Sequence, residues 1–152
     1  MEPSQVRIFP HSQKEFPSED TLRTWLLTGL PGRAGVYHLR NADGVRDLAV
    51  GSIVLFRYGH KIVGEAVVWK GKETFPEKVK DRTLTGEEEE YGAQVTFAPS
   101  SIRLYAPPVS VERIQQHLKK DVVKFAGAYT ELDWDIYAKV LQEVVSRGCF
   151  IS

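Results

Sequence analysis

The chain is poor in residues that staple, ligate or anchor. Cys149 is the only cysteine among 152 residues, so neither an intrachain disulfide framework nor a cysteine-rich zinc site can form. No charge of one sign is in excess: 20 basic and 20 acidic residues give a formal net charge of zero. That balance argues against a generic nucleic-acid coat, whose affinity comes from neutralising many phosphates. It still allows a local basic face or a module that reads a single base. No apolar run approaches transmembrane length and Met1-Glu2-Pro3 begins no signal peptide, so the expectation is a soluble, cytoplasmic protein without membrane contact. Internal repeats and low-complexity tracts are missing too. So are the strings HExxH, GxSxG, CxxC, the Walker loop and the EF-hand loop. His11, His38, His60 and His117 are scattered without metal-ligand spacing. Cys149 has no neighbouring base, and Asp133 and Asp135, two apart on a predicted helix, do not share a face. No catalytic residue, metal or cofactor is expected.

What remains is an ordinary globular composition, 42% hydrophobic and 26% charged, consistent with one domain spanning residues 1–152. The organising stretch is Gly51–Trp69, GSIVLFRYGHKIVGEAVVW. Two runs rich in β-branched and aromatic residues, Ile53–Tyr58 and Lys61–Trp69, flank Gly59-His60, the spacing of a tight hairpin. Ile53-Val54-Leu55-Phe56 is apolar at consecutive positions, so both faces of that strand meet dry surroundings. Gly64 marks a bulge or a close approach of another backbone. Glu65 is a carboxylate in an otherwise apolar strand. It is expected to face solvent or to pair with Arg40 or Arg57, and would be a functional candidate if buried and unpaired.

Around this core the pattern predicts a strand at Gln5–Phe9, a helix at Glu19–Thr28 capped by Ser18, and a strand at Gly35–Arg40. A turn follows at Asn41–Gly44, then an irregular segment or short helix at Val45–Val50. Lys70–Tyr91, rich in Lys and Glu, reads as a solvated, mobile loop. Strands at Tyr91–Ala98 and Ser101–Tyr105 end at Pro107-Pro108. A helix at Val111–Lys119 and a looser stretch at Val122–Ala128 precede a last helix at Glu131–Ser146, stopped by Gly148.

The run YHLRNADGVRDLAVGSIVLFRYGHKIVGEAVV, followed by FAPSSIRLYAPPVS, resembles the PUA-like superfamily, in its EVE/YTH-type branch, which includes domains attached to modification-dependent restriction systems. The likeness covers Tyr37–Val109 and rests on a strand ending in Arg, a Gly-led strand and a strand of the form IVGxAxV. Ser52 stands where many members carry an acidic residue, and the GxKxxExR signature of the related ASCH branch is missing. The resemblance implies an α+β fold, a small PUA-like β-barrel of five to six strands flanked by helices. It also implies an aromatic pocket at one barrel end that takes a modified or flipped base of DNA or RNA. On that basis Trp25, Tyr37 and Trp69 are expected as pocket walls, Asn41 and Ser52 as polar contacts, and Arg40 and Arg57 as phosphate contacts. Two other readings stand beside it: a protein-interaction or regulatory module serving a partner protein or effector domain, and an ASCH-like nucleotide- or RNA-processing enzyme.

Overall fold

The computed structural model describes residues 3–40, 48–117 and 131–152. In chain order the elements are β1 (Val6–His11), α1 (Glu19–Leu27), α2 (Gly29–Gly32), β2 (Val36–Leu39), β3 (Ile53–Tyr58), β4 (Lys61–Arg82), β5 (Glu88–Phe97), β6 (Arg103–Ser110), α3 (Val111–His117), β7 (Glu131–Leu132), α4 (Trp134–Arg147) and β8 (Cys149–Ile151). Among the described residues no helix is long and apolar enough to cross a membrane.

The hairpin at the centre forms as its sequence dictates. Gly59 sits at φ 59° in the turn, a conformation that costs glycine nothing, and Ile53 pairs with Val67 through to Tyr58 with Lys61. The apolar run of β3 is buried on both sides. Val54 and Phe56 enter one core with Phe9, Val63, Ala66, Val95 and Phe97. Leu55 enters a second with Val6, Ile8, Ile62 and Tyr105. Leu22, Leu26 and Leu30, from α1 and α2, seal the first core and are fully buried. Each contributes roughly 1.5–3 kcal/mol of burial. Ser18 caps α1, its Oγ accepting from the Thr21 amide. Ile114 of α3 and Ile136, Val140 and Val144 of α4 seal the second core.

Gly64 is both a bulge and a close approach. The β3–β4 and β4–β6 registers each shift beside it, and a Cβ there would meet the Arg103 carbonyl oxygen. The shift breaks strict alternation, so Val63, Ala66 and Val68 share one core while Ile62 lies in the other.

Five sequence expectations need correction. First, among the described residues the sheet has eight strands and is not closed into a barrel; its order is β2-β5-β4-β3-β1-β7, with β6 beside β4 and β8 beside β6. No backbone hydrogen bond joins β1 to β2 among the described residues; the two ends of the curl meet through side chains. Second, Lys70–Arg82 and Glu88–Tyr91 are not a loop but the long arm of the β4–β5 hairpin, paired from Val79–Tyr91 to Arg82–Glu88. A strand solvated on both faces needs no apolar alternation, so charge alone did not exclude it. Third, β6 runs through Pro107 and Pro108, because the register shift leaves that stretch without ladder bonds to β4. Fourth, Glu131 and Leu132 form β7 against Arg7 and Val6, so α4 begins at Trp134 after Asp133. Its buried face includes Tyr137 and Glu143, while Leu141 is only partly covered. Fifth, a strand that the pattern did not predict follows Gly148, where Cys149–Ile151 pairs with Ala106–Leu104. The expected turn at Asn41–Gly44, the first half of Val45–Val50, the end of the helix toward Lys119, and Val122–Ala128 lie outside the described residues.

A ring-lined cleft as the candidate binding site

β2, at one end of the curled sheet, and the part of β1 beyond its short pairing with β7 come together around a set of rings. The chain enters β2 through a tight turn in which Ala34 and Gly35 both take positive φ, 58° and 80°. A side chain at Gly35 would strike the Phe97 carbonyl oxygen, so only glycine permits β2 to start this close to β5. The turn delivers Tyr37 against Phe9, Phe97 and Trp25, with ring centroids 5.4, 5.8 and 6.1 Å away. Trp25, from the half-buried edge of α1, also lies 5.5 Å from Phe16. Phe16 is fixed in turn because the Tyr58 hydroxyl donates to its carbonyl oxygen at 2.8 Å.

His11 links the two edges. Its Nε2 lies 2.7 Å from the Tyr37 hydroxyl and its Nδ1 3.2 Å from the Arg57 carbonyl oxygen. A carbonyl can only accept, so Nδ1 carries the proton and Nε2 accepts from Tyr37. Burial pushes the His11 pKa down to about 4, against smaller opposing effects of backbone hydrogen bonds. The imidazole is therefore neutral, and the Tyr37 ring is held by its far end.

Between Trp25 and Tyr37 on one side and the β4–β5 arm on the other opens a cleft of about 140 Å³. Glu15, Arg33, His38, Asp81, Leu84 and Tyr91 also line it. The volume is close to the roughly 150 Å³ that holds one benzene-sized ring and below the ~300–1,000 Å³ of drug-sized sites. It suits one planar group, not a whole dinucleotide. Beyond Trp25 and Leu84 a wider, shallower depression runs along Thr21 and Thr24 of α1 and Thr28 at its C-cap.

The polar edge of the cleft is charged. His38 packs between Phe75 and Tyr91, at 5.8 and 5.3 Å. Its Nδ1 lies 3.4 Å from Asp81 and its ring nitrogens 3.3 Å from the Arg33 guanidinium. Burial, then the Arg33 charge, lowers the His38 pKa against the pull of Asp81. A neutral ring donating from Nδ1 to Asp81 and accepting from Arg33 meets both neighbours. Glu15 has its pKa raised, chiefly by burial, with the Arg40 charge working the other way. These groups offer carboxylate acceptors and guanidinium donors around an aromatic slot. Nothing among them is arranged as a nucleophile with its base.

The structure brings together only part of the set expected from sequence. Trp25 and Tyr37 stand edge to face and together form one wall of the cleft. Arg40 stands against two of its lining residues, Glu15 and Tyr91. Trp69 is 62% exposed and is not part of the lining. Ser52 is fully buried, its hydroxyl accepting from the Gln5 amide at 3.0 Å where β1 and β3 begin. Arg57 donates from Nε to the Gly59 carbonyl oxygen at 2.6 Å and does not line the cleft. Asn41 lies outside the described residues. Glu65 is buried but not unpaired. Its carboxylate accepts from the Tyr105 and Tyr137 hydroxyls, each at 2.7 Å, with the Arg103 guanidinium at 3.4 Å, and neither Arg40 nor Arg57 is its partner. Sequence reasoning missed Glu15, Arg33, Asp81 and Tyr91. His38 follows Tyr37 directly on β2, whereas Asp81 reaches the cleft only because the arm folds back.

Neither a protein family nor a curated protein matches the sequence. Among solved structures, the Pho92 YTH domain in complex with m6A is similar at a TM-score of 0.45 and 9% identity, over 97% of this chain and 90% of that one. Protein Atu2648 from Agrobacterium tumefaciens is similar at a TM-score of 0.56 and 12% identity, over 93% of each chain. The chain thus shares with Atu2648 its fold, here an α+β arrangement around one open, curled sheet.

Proposed function

We propose that the chain is a nucleic-acid-binding module, a single PUA-like domain of the EVE/YTH type. It holds one unpaired or flipped base, carrying a modification, in the cleft between the Trp25–Tyr37 wall and the β4–β5 arm, and does no chemistry on it. The observation that carries this reading is the pair of half-buried rings, 6.1 Å apart and inclined at 67°, lining a slot the size of one planar ring system. One ring gives a stacking face and the other an edge, while Glu15 and Asp81 offer acceptors to the amino groups of a base. Arg40, beside the cleft, is the phosphate contact in this proposal. Ser52, Trp69 and Arg57 have no part in it.

The test is a titration of short single-stranded oligonucleotides, RNA and DNA, carrying N6-methyladenine, 5-methylcytosine or no modification. One modified base is expected to bind several-fold more tightly than the others. Trp25→Ala should remove that preference and weaken binding roughly ten-fold or more, since a base stacked on an aromatic ring contributes about 1–3 kcal/mol. Equal, weak, salt-sensitive binding to every oligonucleotide would contradict the proposal.

A further inference from the structure

We propose that the acidic face of the β4–β5 arm is an internal occupant of the phosphate site. A bound nucleic-acid strand would have to take Arg33 and Arg40 away from Asp81 and Glu89. This rests on the base-reading role proposed above and concerns how access to that site is controlled.

The arm ends beside the cleft, not in open solvent. The Thr85 hydroxyl donates to the Lys14 carbonyl oxygen at 2.7 Å. Lys14 Nζ lies 3.9 Å from Glu87 and 3.4 Å from Glu89. Arg40 lies 3.5 Å from Glu89 and 3.7 Å from Glu15, and Arg33 lies 3.6 Å from Asp81. A row of three cations on one side of the cleft thus faces carboxylates supplied by the arm. Glu88, on the opposite face of the same strand, pairs instead with Lys80 of the arm itself.

These contacts are loose. Charge-assisted hydrogen bonds between guanidinium and carboxylate are usually about 2.7–2.9 Å long, and every pair across the cleft is longer. Nε and Nη2 of Arg40 are buried and make no hydrogen bond. A guanidinium with two unspent donors in a fixed fork matches a phosphate, which accepts from both at once. The carboxylates hold the site by charge; a phosphate would hold it by charge and hydrogen bonds together. The Lys14–Glu87 and Arg33–Asp81 pairs are half-exposed, and ion pairs of that kind are weak and salt-screened, so they can keep the arm down without locking it. The same arrangement accounts for a nucleic-acid site in a chain of zero net charge: its basic row is matched internally.

The test compares two double variants with the same change in charge, Glu87→Gln with Glu89→Gln, and Glu88→Gln with Glu90→Gln. Affinity for a short, labelled, single-stranded RNA is measured, together with amide hydrogen exchange along the arm. The first variant is expected to bind about five-fold more tightly than wild type and to exchange faster at the arm amides, with β3 unchanged. The second should stay within about two-fold of wild type on both counts. Equal behaviour of the two variants, or an arm whose exchange does not respond, would overturn the inference. Titration with N6-methyladenosine, which has no phosphate, separates the two proposals. A nucleoside that binds none of the proteins counts against base reading, while the exchange data still decide on the arm.

Discussion

Two buried polar residues govern how the fold responds to change. His11 is neutral in the folded chain, with a pKa near 4, and titrates near 6.5 when unfolded. Between those values the unfolded state binds more protons, so folding stability falls as pH drops from about 6.5 to about 4. The loss attributable to this group is about 3 kcal/mol. Urea midpoints measured between pH 8 and pH 4 should show it, and His11→Gln should flatten that part of the profile. Glu65 works differently, as an acceptor that ties α4 to the sheet. Burial, then the Glu65 carboxylate, raises the pKa of the Tyr105 and Tyr137 hydroxyls, so both remain protonated donors. Tyr137→Phe should cost about 1.5–3 kcal/mol. Glu65→Leu should cost more, roughly 3–5 kcal/mol, because it strands two hydroxyls and Arg103. Equal midpoints for the two variants would refute this. The oddity of Glu65 was legible in the sequence as a charge in an apolar strand. Its partners were not, because Arg103, Tyr105 and Tyr137 reach it only through the β4–β6 pairing and the docking of α4.

At the scale of elements, the cleft exists because three pieces of the chain are brought together. The α1–α2 corner is one of them. A Cβ at Gly29 would overlap the Trp25 indole, so Gly29→Ala should push that ring out of position. It should weaken ligand binding several-fold, by a route remote from ligand contact, with a shifted Trp25 signal as the check. The β4–β5 arm is the second piece, and the one the sequence concealed. Lys and Glu at nearly every position look like a solvated loop, and strand pairing with water on both faces leaves no hydrophobic period to detect. The Ala34–Gly35 turn is the third. It was read only as the start of a strand, since nothing local shows that Phe97 passes close by. By contrast, α1, β3 and the first half of β4 were legible because their apolar periods, caps and turn glycine agreed with each other.

For the whole molecule, the sequence pattern conveyed strands of the right kind in the right order but not their closure. A curl of β2-β5-β4-β3-β1 packed around one core reads like a barrel in any list of strands. Among the described residues it differs from one in lacking a β1–β2 ladder, and the His11–Tyr37 contact occupies that seam. The central claim is that this seam carries a base-binding slot. The chain has three tryptophans, and each reports a different surface: Trp25 lines the cleft, while Trp69 and Trp134 are exposed elsewhere, at 62% and 47%. The most direct measurement follows the three indole N–H resonances during titration with N6-methyladenosine and 5-methylcytidine. The account predicts that one of these nucleosides moves the Trp25 resonance and leaves Trp69 and Trp134 in place. A Trp25 signal unmoved by both, or a response centred on Trp69, would contradict it.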